Sequence, residues 1–125
     1  MGIATAVRVE LTQALTEAGV PAFASMPTTV APPLVAFLPG EPYVTADRLG
    51  PQLHVTVNLT ASLIVPQLDS EAAMFQLEDL IDDVFRALPP GVHASEVSAP
   101  RVDRLGDSQG AVLIAELDIQ AQGKE

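Results

Sequence analysis

The clearest hydrophobic pattern lies in the middle of the chain. Leu53, Val55, Val57, Leu59, Ala61, Leu63 and Val65 alternate with His54, Thr56, Asn58, Thr60 and Ser62. Strict period two predicts a strand with one face on a core and the other off it. At about 3.3 Å per residue such a strand spans roughly 40 Å, so it bends or projects beyond the body of its domain. A different period governs the N-terminal segment. Ile3, Val7, Leu11, Ala14, Leu15 and Ala18 recur at spacings of three and four, with Arg8, Glu10, Thr12, Gln13 and Glu17 opposite, which predicts a helix over Ile3–Ala18. Gly19 suits the left-handed position that ends a helix. Val20 can then fold back onto Leu15, and Pro21 bars continuation.

A second helix is predicted over Asp69–Leu88. Met74, Leu77, Ile81, Val84 and Leu88 form its stripe, widened by Leu80 and Phe85, with Glu78, Asp79, Asp82 and Asp83 opposite. Asp69 or Ser70 can cap its start, Glu71 complements the dipole there, and Pro89-Pro90-Gly91 ends it. The remaining segments are shorter. Val20–Met26 predicts an edge strand because of Pro21, Leu34–Leu38 a buried strand, Val92–Ala99 another strand, and Ala111–Ala121 a last long one. Gly40–Pro51, punctuated by Gly40, Pro42, Gly50 and Pro51, predicts a long exposed loop, as does the charged stretch Pro100–Gly110. The tail Gln122–Glu125 is expected to fray. The order is helix, three strands, helix, two strands. The economical solution is a single α+β domain over residues 1–125, a two-layer sandwich with both helices on one face of a mostly antiparallel sheet of four or five strands.

Composition narrows the function classes. The chain has 125 residues, 16 of them acidic and 6 basic, for a net charge of −10. Phosphate binding needs clustered Lys and Arg, so nucleic acid and anionic membranes are poor partners. An acidic wall can still line a path for DNA without holding it. There is no cysteine, which excludes a disulfide framework and thiolate metal sites and fits a reducing compartment. The start has no basic region followed by an apolar run, and no apolar run is long enough to span a bilayer, so a cytoplasmic protein is expected.

Candidate chemistry is sparse. Gly106-Asp107-Ser108-Gln109-Gly110 spells the nucleophile-elbow pattern, but the motif needs a helix after the serine, and the segment that follows alternates like a strand. Its triad also needs a histidine downstream, whereas His54 and His93 lie upstream; a turn between strands accounts for the same residues. The two histidines have no local metal-ligand spacing. Glu78, Asp79, Asp82 and Asp83 form an acidic patch that reads as a solvated helix face, or as a complement to a basic partner. No phosphate-cradling glycine loop occurs, and one Tyr without Trp offers no base-stacking platform. Neither a catalytic residue nor a metal or other cofactor is expected. The uncharged row His54, Thr56, Asn58, Thr60 and Ser62 differs from a solvent face rich in Lys and Glu. It reads as a wet sheet face or as a surface that a neighbouring subunit covers.

Four segments carry a resemblance to a known family: VRVELTQALTEAGV, PPLVAFLPGEPYV, LHVTVNLTASLIV followed by LEDLIDDVFRALPPGV, and GAVLIAELDIQ. In size, element order and character they resemble the tail-terminator proteins of long-tailed phages, also called tail-completion or tail-to-head joining proteins. The resemblance covers nearly the whole chain and contains no invariant motif. It implies a non-enzymatic virion protein, made in the host cytoplasm, that forms a homo-oligomeric ring, a hexamer in the family. Such a ring sits on the head-proximal end of the tail tube, stops tube polymerisation and meets the head connector, while DNA passes through without specific binding. Under that reading His54, Thr56, Asn58, Thr60 and Ser62 supply a subunit interface. Loop residues Glu41, Tyr43, Asp47, Arg48, Arg101, Asp103, Arg104 and Asp107 supply contacts to the tube or connector. Three alternatives stay open: another neck or tail component of related fold, a small ligand-binding or regulatory α+β domain, and an enzyme whose site is assembled between subunits.

Overall fold

A computed structural model describes residues 2–27, 31–49, 51–67, 70–104 and 110–124. The element order is α1 (Ile3–Glu17), β1 (Ala22–Phe23), β2 (Leu34–Leu49), β3 (Gln52–Pro66), α2 (Ser70–Ala87), β4 (His93–Val97), β5 (Arg101–Arg104) and β6 (Ala111–Lys124). Six strands form one sheet in the order β1-β2-β3-β6-β4, with β5 also on the outer edge of β6. Only the two-residue β1 is parallel to its neighbour; every other pairing is antiparallel. The α+β two-layer sandwich is therefore as the hydrophobic pattern predicts, with more strands than four or five.

The helices lie on one face of the sheet. Val7, Leu11 and Leu15 of α1 and Ala73, Leu77, Leu80 and Val84 of α2 share one buried cluster with Val55, Val57, Leu59, Ala61, Leu63 and Val65 of β3. From β6 the same cluster takes Leu113, Ala115, Leu117, Ile119 and Ala121. Both predicted apolar strand faces are thus the core. The stop of α1 is also as read from sequence. Gly19 has φ 88°, Val20 N–H donates to Leu15 O at 2.9 Å, and Val20 is buried. The cap proposed at Asp69 falls outside the described residues, as does the side chain of Ser70.

Three expectations need correction. First, residues 41–49 are strand, not loop. β2 runs on to Leu49, and its register with β3 closes at Leu49↔Gln52. The prolines misled the reading. β1 pairs with Val35 and Ala36, so from Phe37 onward β2 is an edge among the described residues, where a missing N–H at Pro39 or Pro42 costs no ladder bond. Glu41, Tyr43, Asp47 and Arg48 are thus strand residues, and Tyr43 is half-buried against the core. Second, Arg101, Asp103 and Arg104 lie in β5, paired with Ala111–Ile114 of β6; Asp107 lies outside the described residues. Third, Gln122–Lys124 do not fray. They pair with Thr56, Val55 and His54 in the β3–β6 ladder.

Candidate functional site

The helix-free face of the sheet divides into two halves. At one end Leu34, Ala36, Ile64, Val112 and Ile114 form a second apolar cluster, all buried. At the other end the face is polar, and there the sheet carries two bulges. Between Pro39↔Leu59 and Val44↔Val57, residues 40–43 of β2 oppose the single residue Asn58. Between Ala94↔Ile119 and Val97↔Leu117, residues 95 and 96 of β4 oppose the single residue Asp118. Bulges bend the local backbone and re-aim side chains, and they gather at functional surfaces.

Between these two irregularities lies an open cavity of about 400 Å³, lined by Gly40, Glu41, Pro42, Asn58, Leu59, His93, Asp118, Ile119 and Gln120. The register explains the convergence. Asn58 pairs with Gln120, and Gln120 with His93, so three strands place these residues in one row. Asn58 holds the row together. Its Nδ2 donates to Pro42 O at 2.8 Å, and its Oδ1 accepts from Gln120 Nε2 at 3.2 Å. One row away, Thr56 Oγ1 donates to Gln122 Oε1 at 3.3 Å. The lining offers two carboxylates, an imidazole and two amides, with neither Lys nor Arg. It therefore suits a hydrogen-bond donor or a cation better than an anion.

Most of the residues singled out in the sequence can now be located. His54, Thr56, Asn58 and Thr60 are half-buried along β3. Ser62 is not available as an interface residue of this subunit, being 5 % exposed. It sits where the helix-free face turns apolar, paired between Ala36 and Glu116. Glu78, Asp79, Asp82 and Asp83 are exposed on α2; Asp83 makes a 3.7 Å surface pair with Arg86, while Asp79 and Asp83 face a smaller cavity beside Gly19, Val20, Pro21 and Pro33. Among the described residues no group of three or more His, Asp or Glu is placed to hold a metal ion. Ser108 lies outside the described residues, and the element after Gly110 is the strand β6 instead of the helix a nucleophile elbow requires.

The sequence reading missed Gln120, Gln122, His93 and Asp118 as members of this surface. The signal was present, since Glu116, Asp118 and Gln120 alternate off the core face of β6, but their pairing with β3 is a register fact and no spacing reveals it. Arg8, assigned to the outer face of α1, is half-buried, and its guanidinium donates to Ala24 O at 3.0 Å, tying the segment after β1 to the helix. No protein-family model matches the chain, and no curated protein matches it in sequence. No helix among the described residues is long and apolar enough to cross a membrane.

Proposed function

We propose that this chain is a structural subunit that assembles into a ring at the head-proximal end of a phage tail tube, ending tube growth and joining the tail to the head connector. The observation that carries the reading is the polar half of the helix-free face. Thr56, Asn58, Thr60, Gln120 and Gln122 present hydroxyls and amides there, interrupted on β6 by Asp118 and by Glu116, the latter already paired with Arg101 at 2.8 Å. Such groups are readily satisfied when another protein covers them, and they do not repel it. Two further features support the same reading. The β2–β3 hairpin and the end of β6 extend a ladder whose β3 strand alone would span roughly 50 Å. The net charge of −10 keeps a passing duplex from binding. The resemblance of the four segments points to the same family.

A second reading, a small ligand-binding domain, rests on the 400 Å³ cavity between the bulges. Electron microscopy of the purified protein separates the two: rings with a central hole support the first, monomers with a bound small molecule the second. The sharper test adds the protein to polymerising tail tube subunits and measures labelled tube ends. Thr60→Lys places a charge on the face without breaking the hydrogen bonds of Asn58, and it is expected to abolish end labelling while leaving the fold intact. Unchanged labelling by this variant would remove the face from the mechanism.

A further inference from the structure

The helix layer is narrower than the sheet beneath it. A helix is ~10 Å wide and strands lie about 4.8 Å apart, so one helix covers about two strands. α2 lies over β3 and β6, and α1 crosses β1, β3 and β6; neither packs over β4 or β5. That outer strip is apolar on the helix side. Ala94 and Val97 of β4 pair with Ile119 and Leu117, and Val102 of β5 pairs with Leu113, so all three share the face of the core. Val102 is 58 % exposed.

One flank of α2 forms the wall of this strip. Ala73, Leu77, Leu80 and Val84 face the sheet, and Gln76, Asp79 and Asp83 face Pro21 and Pro33, which lead into β1 and β2. At about 100° per residue, Met74, Ile81 and Phe85 fall on the opposite flank, toward β4 and β5. Met74 and Phe85, which the periodicity assigns to the core stripe, are 38 % and 39 % exposed. With Glu78 between them, Met74, Ile81 and Phe85 follow spacings of four, three and four, the repeat by which a second helix packs lengthwise. This seam is about 17 Å long, and the strip from Ala94 to Val102, taken along β6 from Ile119 to Leu113, is roughly 20 Å.

We propose that this groove receives an amphipathic helix of another protein, one that carries basic residues beside its apolar stripe. The proposal goes beyond the ring reading and does not depend on it. Charge selects the occupant. α2 carries Glu71, Glu78, Asp79, Asp82 and Asp83 against Arg86. Glu78 lies within the seam and Asp82 beside it, both exposed, so a lysine or arginine on the incoming helix finds its counter-charge at the rim. Arg86 is paired with Asp83 at 3.7 Å, and Arg104 at the end of β5 is the only cation described beside the groove. A second copy fits poorly. Two α2 seams would set Glu78 and Asp82 against their own counterparts, and the apolar stripe of α1, Val7, Leu11 and Leu15, is already buried in its own core.

The probe is a synthetic amphipathic helix of about four turns, leucine on one stripe and lysine elsewhere, with a glutamate-for-lysine counterpart as control. Fluorescence anisotropy of the labelled peptide is expected to show binding of the basic form and none of the acidic form. Met74→Gln and Val102→Thr, both at exposed positions, are each expected to weaken binding roughly tenfold. Glu78→Gln is expected to weaken it and to flatten its salt dependence. Phe23→Gln removes an exposed phenylalanine beside Ala36, on the helix-free side, and is expected to leave binding unchanged. Circular dichroism checks that each variant is folded. Failure of the basic peptide to bind, equal binding of the acidic one, or an equal loss in Phe23→Gln overturns the proposal. Self-association of the wild-type chain that Met74→Gln abolishes makes a second copy the occupant and overturns it too. Should a variant fail to fold, methyl NMR of the unmodified protein decides: the basic peptide must shift Ile81, Val97 and Val102 together, and shifts confined to other methyl groups overturn the assignment.

Discussion

At the scale of single residues, Gly40 explains why the β2 bulge keeps its shape. A Cβ built there would lie 2.8 Å from Asn58 O and 2.9 Å from Asn58 C, both backbone atoms of the neighbouring strand. Backbone cannot yield as a side-chain tip can. The bulge and β3 therefore approach closely only because residue 40 has no side chain, and the Asn58 bond to Pro42 O then fixes the loop of backbone in place. Gly123 gives the useful contrast. Its added Cβ would meet Ile3 Cγ2 at 2.5 Å and Val7 Cγ2 at 3.1 Å, which are side-chain atoms in the first turns of α1. Gly40→Ala is expected to cost more than Gly123→Ala, toward the upper and lower ends respectively of the ~1–3 kcal/mol range for overpacking. Thermal unfolding of the two variants checks the order, and a smaller loss for Gly40→Ala would mean that the bulge relaxes freely.

At the scale of elements, the C-terminal end of β6 shows what the sequence could and could not disclose. Gln122, Gly123 and Lys124 pair with β3, and Gly123 also lies under α1. Removing Gln122–Glu125 is therefore expected to lower the unfolding midpoint, and to speed amide exchange at His54, Val55 and Thr56, which lose their partners. A frayed tail would leave both unchanged. The two helices, the core face of β3 and the core face of β6 were legible because each repeats a period over many residues, and burial enforces it. Residues 41–49 were not legible. Pro39, Gly40 and Pro42 signal a turn locally, while the pairing that makes them a strand comes from Val55 and Val57 across the ladder. The cavity was legible only in part. Asn58 was singled out for its polarity, but its partners Gln120 and Pro42 lie 62 and 16 residues away and meet it only through register. A bulge hides further information still: it reverses which alternate residues face the core, so Val44 could not be assigned a side from spacing alone.

At the scale of the whole molecule, the net charge sets a condition on any assembly of copies. A domain of this length has a radius of gyration near 14 Å, which puts neighbouring centres roughly 30 Å apart. Two net charges of −10 at that distance repel by on the order of 14 kcal/mol in unscreened water. At 0.01 M salt, where the screening length is about 30 Å, roughly 5 kcal/mol of this survives; at 0.1 M, where it is about 10 Å, less than about 1 kcal/mol does. Exposed ion pairs across a contact contribute only ~0–1 kcal/mol each, so at low salt repulsion outweighs them. Self-association is therefore expected to strengthen steeply between 0.01 and 0.1 M salt and to level off above that. Sedimentation velocity across the salt series reads this directly. An association that weakens as salt rises would mean that local charge pairs dominate the contact, and the hydroxyl and amide groups of the polar face would then be the wrong place to look for it.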